Sequence, residues 1–121
     1  MKKLYNEYNY FMDYSGYSAI AQFKSFARKA KNRLEKDCSA NGLELRSYSK
    51  GYYEVSGFIF NPTTSKYAYF AMGDMRFDHL GKKPLDACLI RTASNEKDFT
   101  GGNNHFCPCY DLVAMAKKLT K

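Results

Sequence analysis

The chain has 121 residues, 45% of them hydrophobic and 17% aromatic, with 11 Tyr, 9 Phe and no Trp. That is enough for one modest core, and no apolar run approaches the roughly 18–20 residues of a membrane-spanning helix. The 19 Lys and Arg outweigh the 12 Asp and Glu to leave a net charge of +7, which speaks of attraction to polyanions and says nothing of fold.

Residues 1–17, MKKLYNEYNYFMDYSGY, carry Tyr5, Tyr8, Tyr10, Tyr14 and Tyr17 among polar residues. They read as a tyrosine-rich arm or a short helix. The apolar middle and small-residue cleavage site of a secretory signal are missing, so the cytoplasm is the expected compartment.

From Ser18 to Asn41 the sequence predicts a long helix. Ile20, Phe23, Ala27, Ala30, Leu34 and Cys38 recur at steps of three and four and fall on one face. Ser18 is the expected N-cap, and Asn41-Gly42 the stop. Off the apolar face, Lys24, Arg28 and Lys31 make one basic row and Lys29, Arg33 and Lys36 a second, interrupted only by Glu35 and Asp37.

Strands are expected next. One runs from Gly42 to Tyr48 and is broken at Lys50-Gly51. Tyr52–Phe60 (YYEVSGFIF) is rich in aromatic and β-branched residues. A turn at Asn61-Pro62-Thr63-Thr64-Ser65 leads into Tyr67–Met72 as a hairpin partner. After a loop from Gly73 to Pro84, Asp86–Thr92 forms a short strand with Cys88 and Ile90 on one side and Leu89 and Arg91 on the other. Asp111–Leu119 is helical by pattern, with Leu112, Val113, Ala116 and Leu119 facing inward. The sum is one α+β domain over residues 1–121, in α-β-β-β-α order. A three- to four-stranded antiparallel sheet carries its helices on one face.

The segment KDFTGGNNHFCPCYDL (Lys97–Leu112) invites several chemistries. His105, Cys107 and Cys109 alternate, so an extended backbone would turn all three to one side, and Cys88 or Cys38 would complete a tetrahedral zinc site. The C-P-C spacing lacks the two-residue gap of both zinc knuckles and redox pairs. Gly101-Gly102 suggests a phosphate cradle, yet no lysine follows as in a nucleotide-binding loop. A strand-to-helix turn explains the segment more simply: the glycines permit positive φ, and Asp98, Asn103 and Asn104 satisfy its backbone. Pro108 suits the first helical turn. No cofactor or metal is expected. With only His79 and His105, and no nucleophile motif, neither is catalysis.

The α-β-β-β-α order is similar to that of the double-stranded-RNA-binding domain. That family places a lysine cluster at the start of its last helix, where this chain has Cys107-Pro108-Cys109-Tyr110-Asp111. A more local likeness lies in LIRTASNEKDFTGGNN (Leu89–Asn104), preceded by YYEVSGFIF and KYAYFAMGDMRF. This stretch resembles small uncharacterised proteins of Gram-positive bacteria, their phages and conjugative elements. The resemblance implies a mobile-element setting, in which small proteins block host defence complexes, anti-CRISPR proteins among them. It also points to Arg91, Thr92, Lys97, Asp98, Thr100, Gly101, Gly102 and Asn103 as shared positions.

The resulting expectation is a non-catalytic inhibitor that engages nucleic acid or a nucleoprotein through Lys24, Arg28, Lys29, Lys31, Arg33 and Lys36, with Arg91 and Lys97 as further contacts. Two other readings stand beside it. One is a zinc- or thiol-dependent protein centred on His105, Cys107 and Cys109. The other is a protein-interaction module using a tyrosine-rich surface.

Overall fold

The computed structural model describes residues 20–51, 54–72 and 88–121. The tyrosine-rich arm, the Ser18 cap, Tyr52-Tyr53, the whole loop from Gly73 to Pro84 with His79, and the Asp86 start of the next expected strand lie outside the described residues.

Helix α1 spans Ile20–Ala40. Ala27, Ala30, Leu34 and Cys38 are buried along it, three or four residues apart, on the face that the apolar period marks, and Phe26 beside them is buried too. It ends as Asn41-Gly42 predicts. Gly42 turns left-handed at φ 70°. Its N–H donates to the Ser39 carbonyl (3.2 Å), and the Leu43 N–H reaches back to the Cys38 carbonyl (2.8 Å). Such a left-handed close satisfies carbonyls that the last helical turn leaves open.

Five antiparallel strands follow as a simple meander in the order β1-β2-β3-β4-β5. They are β1 (Glu44–Lys50), β2 (Val55–Asn61), β3 (Lys66–Met72), β4 (Cys88–Ala93) and β5 (His105–Cys107). β1 continues through Lys50, two residues past the predicted end. The irregularity lies earlier, between Arg46 and Ser49, where the pairing with β2 shifts register. Ser47 takes a φ of 51° there, as a bulge requires. β5 occupies part of the expected loop. Its three residues pair with Cys88–Ile90, and three residues are too few to show a countable period.

The sheet has two distinct faces. Val55, Ile59, Ala68, Phe70, Met72, Cys88, Ile90 and Cys107 meet the helices in one buried cluster. Gly57 stands directly opposite Phe70 across the β2–β3 ladder. A Cβ on Gly57 would lie 3.2 Å from the Phe70 ring and 3.2 Å from the Tyr48 Cα, so the missing side chain makes the seat for that ring.

Pro108 (φ −59°) precedes a short 3₁₀ turn at Cys109–Asp111, and helix α2 spans Leu112–Leu119. The proline therefore stands just ahead of the helical segment, not inside its first turn. Beyond α2, the Thr120 carbonyl accepts hydrogen bonds from the Thr64 hydroxyl (2.6 Å) and the Asn61 side-chain amide (3.1 Å). These tie the end of the chain to the β2–β3 turn. The architecture is an α+β fold, with a long helix first and a short helix last around one antiparallel sheet.

Candidate nucleic-acid interface

The cations predicted on the long helix are all on its outer side. Lys24, Arg28, Lys29, Lys31, Arg33 and Lys36 are exposed. Arg33 is engaged with Asp37 one turn on, at 3.1 Å. Lys24, Arg28, Lys31 and Lys36 make no ion pair among the described residues. With a rise of about 1.5 Å per residue, Lys24 to Lys36 spans roughly 18 Å. A shallow open groove beside them is lined by Lys29, Asn32, Arg33, Glu35, Lys36 and Ser39.

Arg91 and Lys97 do not join this row. Arg91 projects from β4 on the sheet face opposite the core, where its guanidinium lies 4.7 Å from the Tyr69 ring centre. It also donates to the Asn104 side-chain oxygen at 3.2 Å. Lys97 is exposed on the loop that follows β4. These two further contacts therefore belong to a different surface from the helix cations.

That loop is organised by Asp98, as turn chemistry suggests. Its carboxylate accepts from the backbone N–H groups of Ser94 (2.8 Å), Gly101 (2.8 Å) and Thr100 (3.3 Å). The Ser94 and Gly101 bonds foremost hold the exposed carboxyl below its usual range. A phosphate cradle needs those N–H groups free, and here a side-chain carboxylate already occupies them. The expected role of Asn104 differs too, since its amide oxygen serves Arg91 and not the loop backbone.

Gly102 has φ 75°, and a Cβ there would meet the Thr92 carbonyl oxygen at 2.5 Å and its hydroxyl at 2.6 Å. Gly42 is equally left-handed but open, with nothing within 4 Å of its would-be Cβ. We expect Gly102→Ala to cost about 1–3 kcal/mol for backbone strain, with more from the displaced loop, and to exceed the cost of Gly42→Ala clearly. Urea unfolding of the two variants measures the difference, and equal losses would refute the Thr92 contact.

The β4–β5 loop crosses the outer face of the sheet. Glu96 reaches β1, where Ser47 donates to it at 3.3 Å and Arg46 approaches to 4.0 Å. Phe99 sets its ring edgewise against Phe58 (5.5 Å) and Tyr69 (5.7 Å). Phe58 is buried although it points away from the core, with Tyr69 and Phe99 both packed against its ring. Further along, Phe60 packs on Tyr67 at 4.6 Å and receives Arg46 over its ring at 4.1 Å. Sequence analysis did not predict this aromatic face. Its signal was there: Phe58 and Phe60 alternate on β2 and pair with Tyr69 and Tyr67 on β3.

No family model, curated protein or solved structure matches this chain. No helix among the described residues is long and apolar enough to cross a membrane.

The four cysteines form no disulfide and are buried, and all four lie in the same core cluster. Cys88 stands opposite Cys107 across β4–β5, while His105 stands opposite Ile90 and is exposed. A Cys88–His105 pair is thus not formed, and among the described residues no group of three or more His, Cys, Asp and Glu is placed to hold a metal. Burial, then the nearby Asp111 carboxylate, push the Cys107 thiol up to about 11. Burial, then Asp37 and Glu35, take Cys38 to about 12. A poised redox thiol requires the opposite shift.

Because these folded values lie above the unfolded one, the stability they carry is complete below about pH 9 and lost as pH rises through 11 to 12. Native protein at pH 8 is expected to leave its thiols unreacted with an aromatic disulfide reagent over many minutes, and unfolded protein to react at once. Rapid labelling of the native form would contradict the buried placement.

Proposed function

We propose that the chain is a non-catalytic binding protein whose basic helix engages nucleic acid or a nucleoprotein, in the manner of an inhibitor carried by a phage or mobile element. The observation that carries this reading is the set Lys24, Arg28, Lys31 and Lys36: exposed, without ionic partners among the described residues, and strung along one helix. A surface cation with a carboxylate partner has its charge largely answered, whereas unanswered cations spread over two neighbouring rows, on a chain of net +7, are available to phosphates. Cations that neutralise phosphates release the counterions condensed on the nucleic acid, and that release favours binding most at low salt.

The mobile-element setting is part of the proposal and is taken from the resemblance that the Leu89–Asn104 sequence suggests. An anti-CRISPR-like protein of this kind would act sterically, by occupying the channel that guide or target strands fill, or by gripping the guide itself. Neither route needs a reactive group.

The test is binding of labelled duplex and single-stranded DNA and RNA to the full chain over a salt series. The proposal expects micromolar or tighter binding at about 50 mM salt, with affinity falling steeply as salt rises. Failure to bind any of the four at that salt would overturn it.

A further inference from the structure

We infer that the outer face of the sheet is a second contact surface, built to stack the unpaired bases of a single-stranded nucleic acid. Two large rings there are open to solvent, Phe99 at 55% and Phe106 at 40% exposure. Phe99 stands over Tyr69 on β3, and Phe106 lies on β5 opposite Leu89. Two strand spacings across and a two-residue offset along β4, from Arg91 to Leu89, put the Tyr69 and Phe106 positions roughly 12 Å apart on the sheet. Between them is Arg91, its guanidinium 4.7 Å from the Tyr69 ring centre and held by Asn104.

The charge on this face selects the occupant. Arg46, at the β1 side, is answered by Glu44 (3.4 Å) and Glu96 (4.0 Å). Arg91 has no carboxylate partner among the described residues, and its Nε is buried without a hydrogen bond. Lys97 adds an exposed cation on the same loop as Phe99. A purely apolar partner would cover the rings and leave the Arg91 charge buried and unpaired, which is costly. A polynucleotide satisfies both: its bases present π-faces to Phe99 and Phe106, and its phosphates meet Arg91 and Lys97. Bases in a duplex are already stacked and paired, so the fitting form is single-stranded.

This inference rests on the proposed function only in taking the partner to be nucleic acid, since it uses no residue of α1. The experiment measures binding of the full chain to labelled oligo(dT) of about 15 nucleotides and to a duplex of equal length, by fluorescence anisotropy over a salt series. Phe99→Ala and Phe106→Ala are each expected to weaken oligo(dT) binding about 10-fold with the salt slope unchanged, and to leave duplex binding within about twofold. Arg91→Gln is expected to lower the oligo(dT) slope by about 0.7, the contribution of one phosphate contact on a single strand. Phe106 lies on β5 and is not one of the rings on which Phe99 packs, so it keeps the test sound should Phe99→Ala loosen the loop.

Oligo(dT) affinity within twofold of the parent in both ring variants, or equal losses on duplex and single strand, would overturn the inference. If the parent binds duplex but not oligo(dT), the sheet surface fails and the helix reading stands. If neutralising α1 leaves oligo(dT) binding intact while ring removal abolishes it, the helix reading fails and the sheet surface stands.

Discussion

Replacing Phe70 by alanine is expected to remove about 3–5 kcal/mol of folding stability, the range for truncating a fully buried aromatic side chain. Phe70 has no solvent exposure and lies on β3, the middle strand of five. Its ring sits in the space left by Gly57, between Val55 and Ile59 on β2. β3 is held on both sides by long ladders, so the backbone has little freedom to collapse into the void. A loss of that size consumes a large share of the roughly 5–15 kcal/mol available to a single domain. The urea midpoint should therefore fall sharply with little change in slope. Phe70→Leu, which retains a branched apolar side chain, should lose much less. A midpoint unchanged in Phe70→Ala would contradict the packing described for the core.

The second large effect concerns binding. Converting Lys24, Arg28, Lys31 and Lys36 together to glutamine is expected to reduce the slope of log affinity against log salt by about 3 to 4 on duplex DNA, since each phosphate contact contributes about 0.9. Affinity at about 50 mM salt should fall by at least about 100-fold. Stability should change little, because all four side chains are exposed and glutamine is nearly as good a helix former as lysine. Arg33→Gln is the internal contrast. Arg33 is already paired with Asp37 at 3.1 Å, so its removal should cost less than any of the four.

Much of the fold was legible because it is written in period. Ala27, Ala30, Leu34 and Cys38 repeat at helical spacing and are all buried. Asn41-Gly42 ends the helix through the one residue that adopts φ 70° without strain. The alternation of Cys88 and Ile90 against Leu89 and Arg91 is the alternation found in β4. What escaped was short or irregular. β5 has three residues, and its pairing is decided by tertiary contact with Cys88–Ile90. The bulge at Ser47 is a backbone event, and serine in a strand gives no local sign of it.

The site was legible in part for a similar reason. A helix fixes which cations share a face, so two basic rows followed from spacing alone. Where a loop travels does not follow from spacing. Asp98 was readable as a turn former, but nothing in KDFTGGNN says that the loop carries Phe99 onto Phe58 and Tyr69. Nor does spacing say that Arg91 lies on the sheet face beside Tyr69, away from the helix cations. The alternation of His105, Cys107 and Cys109 also held only as a pattern, since the two thiols turn into the core while the imidazole stays exposed.

The most direct test of the account compares the parent chain with the four-glutamine variant on one duplex, titrated with salt side by side. The account predicts a steep slope for the parent and a shallow one for the variant, with both proteins equally folded. Equal slopes and equal affinities would mean that the basic helix is only a solvated surface, and the proposed function would fall with it.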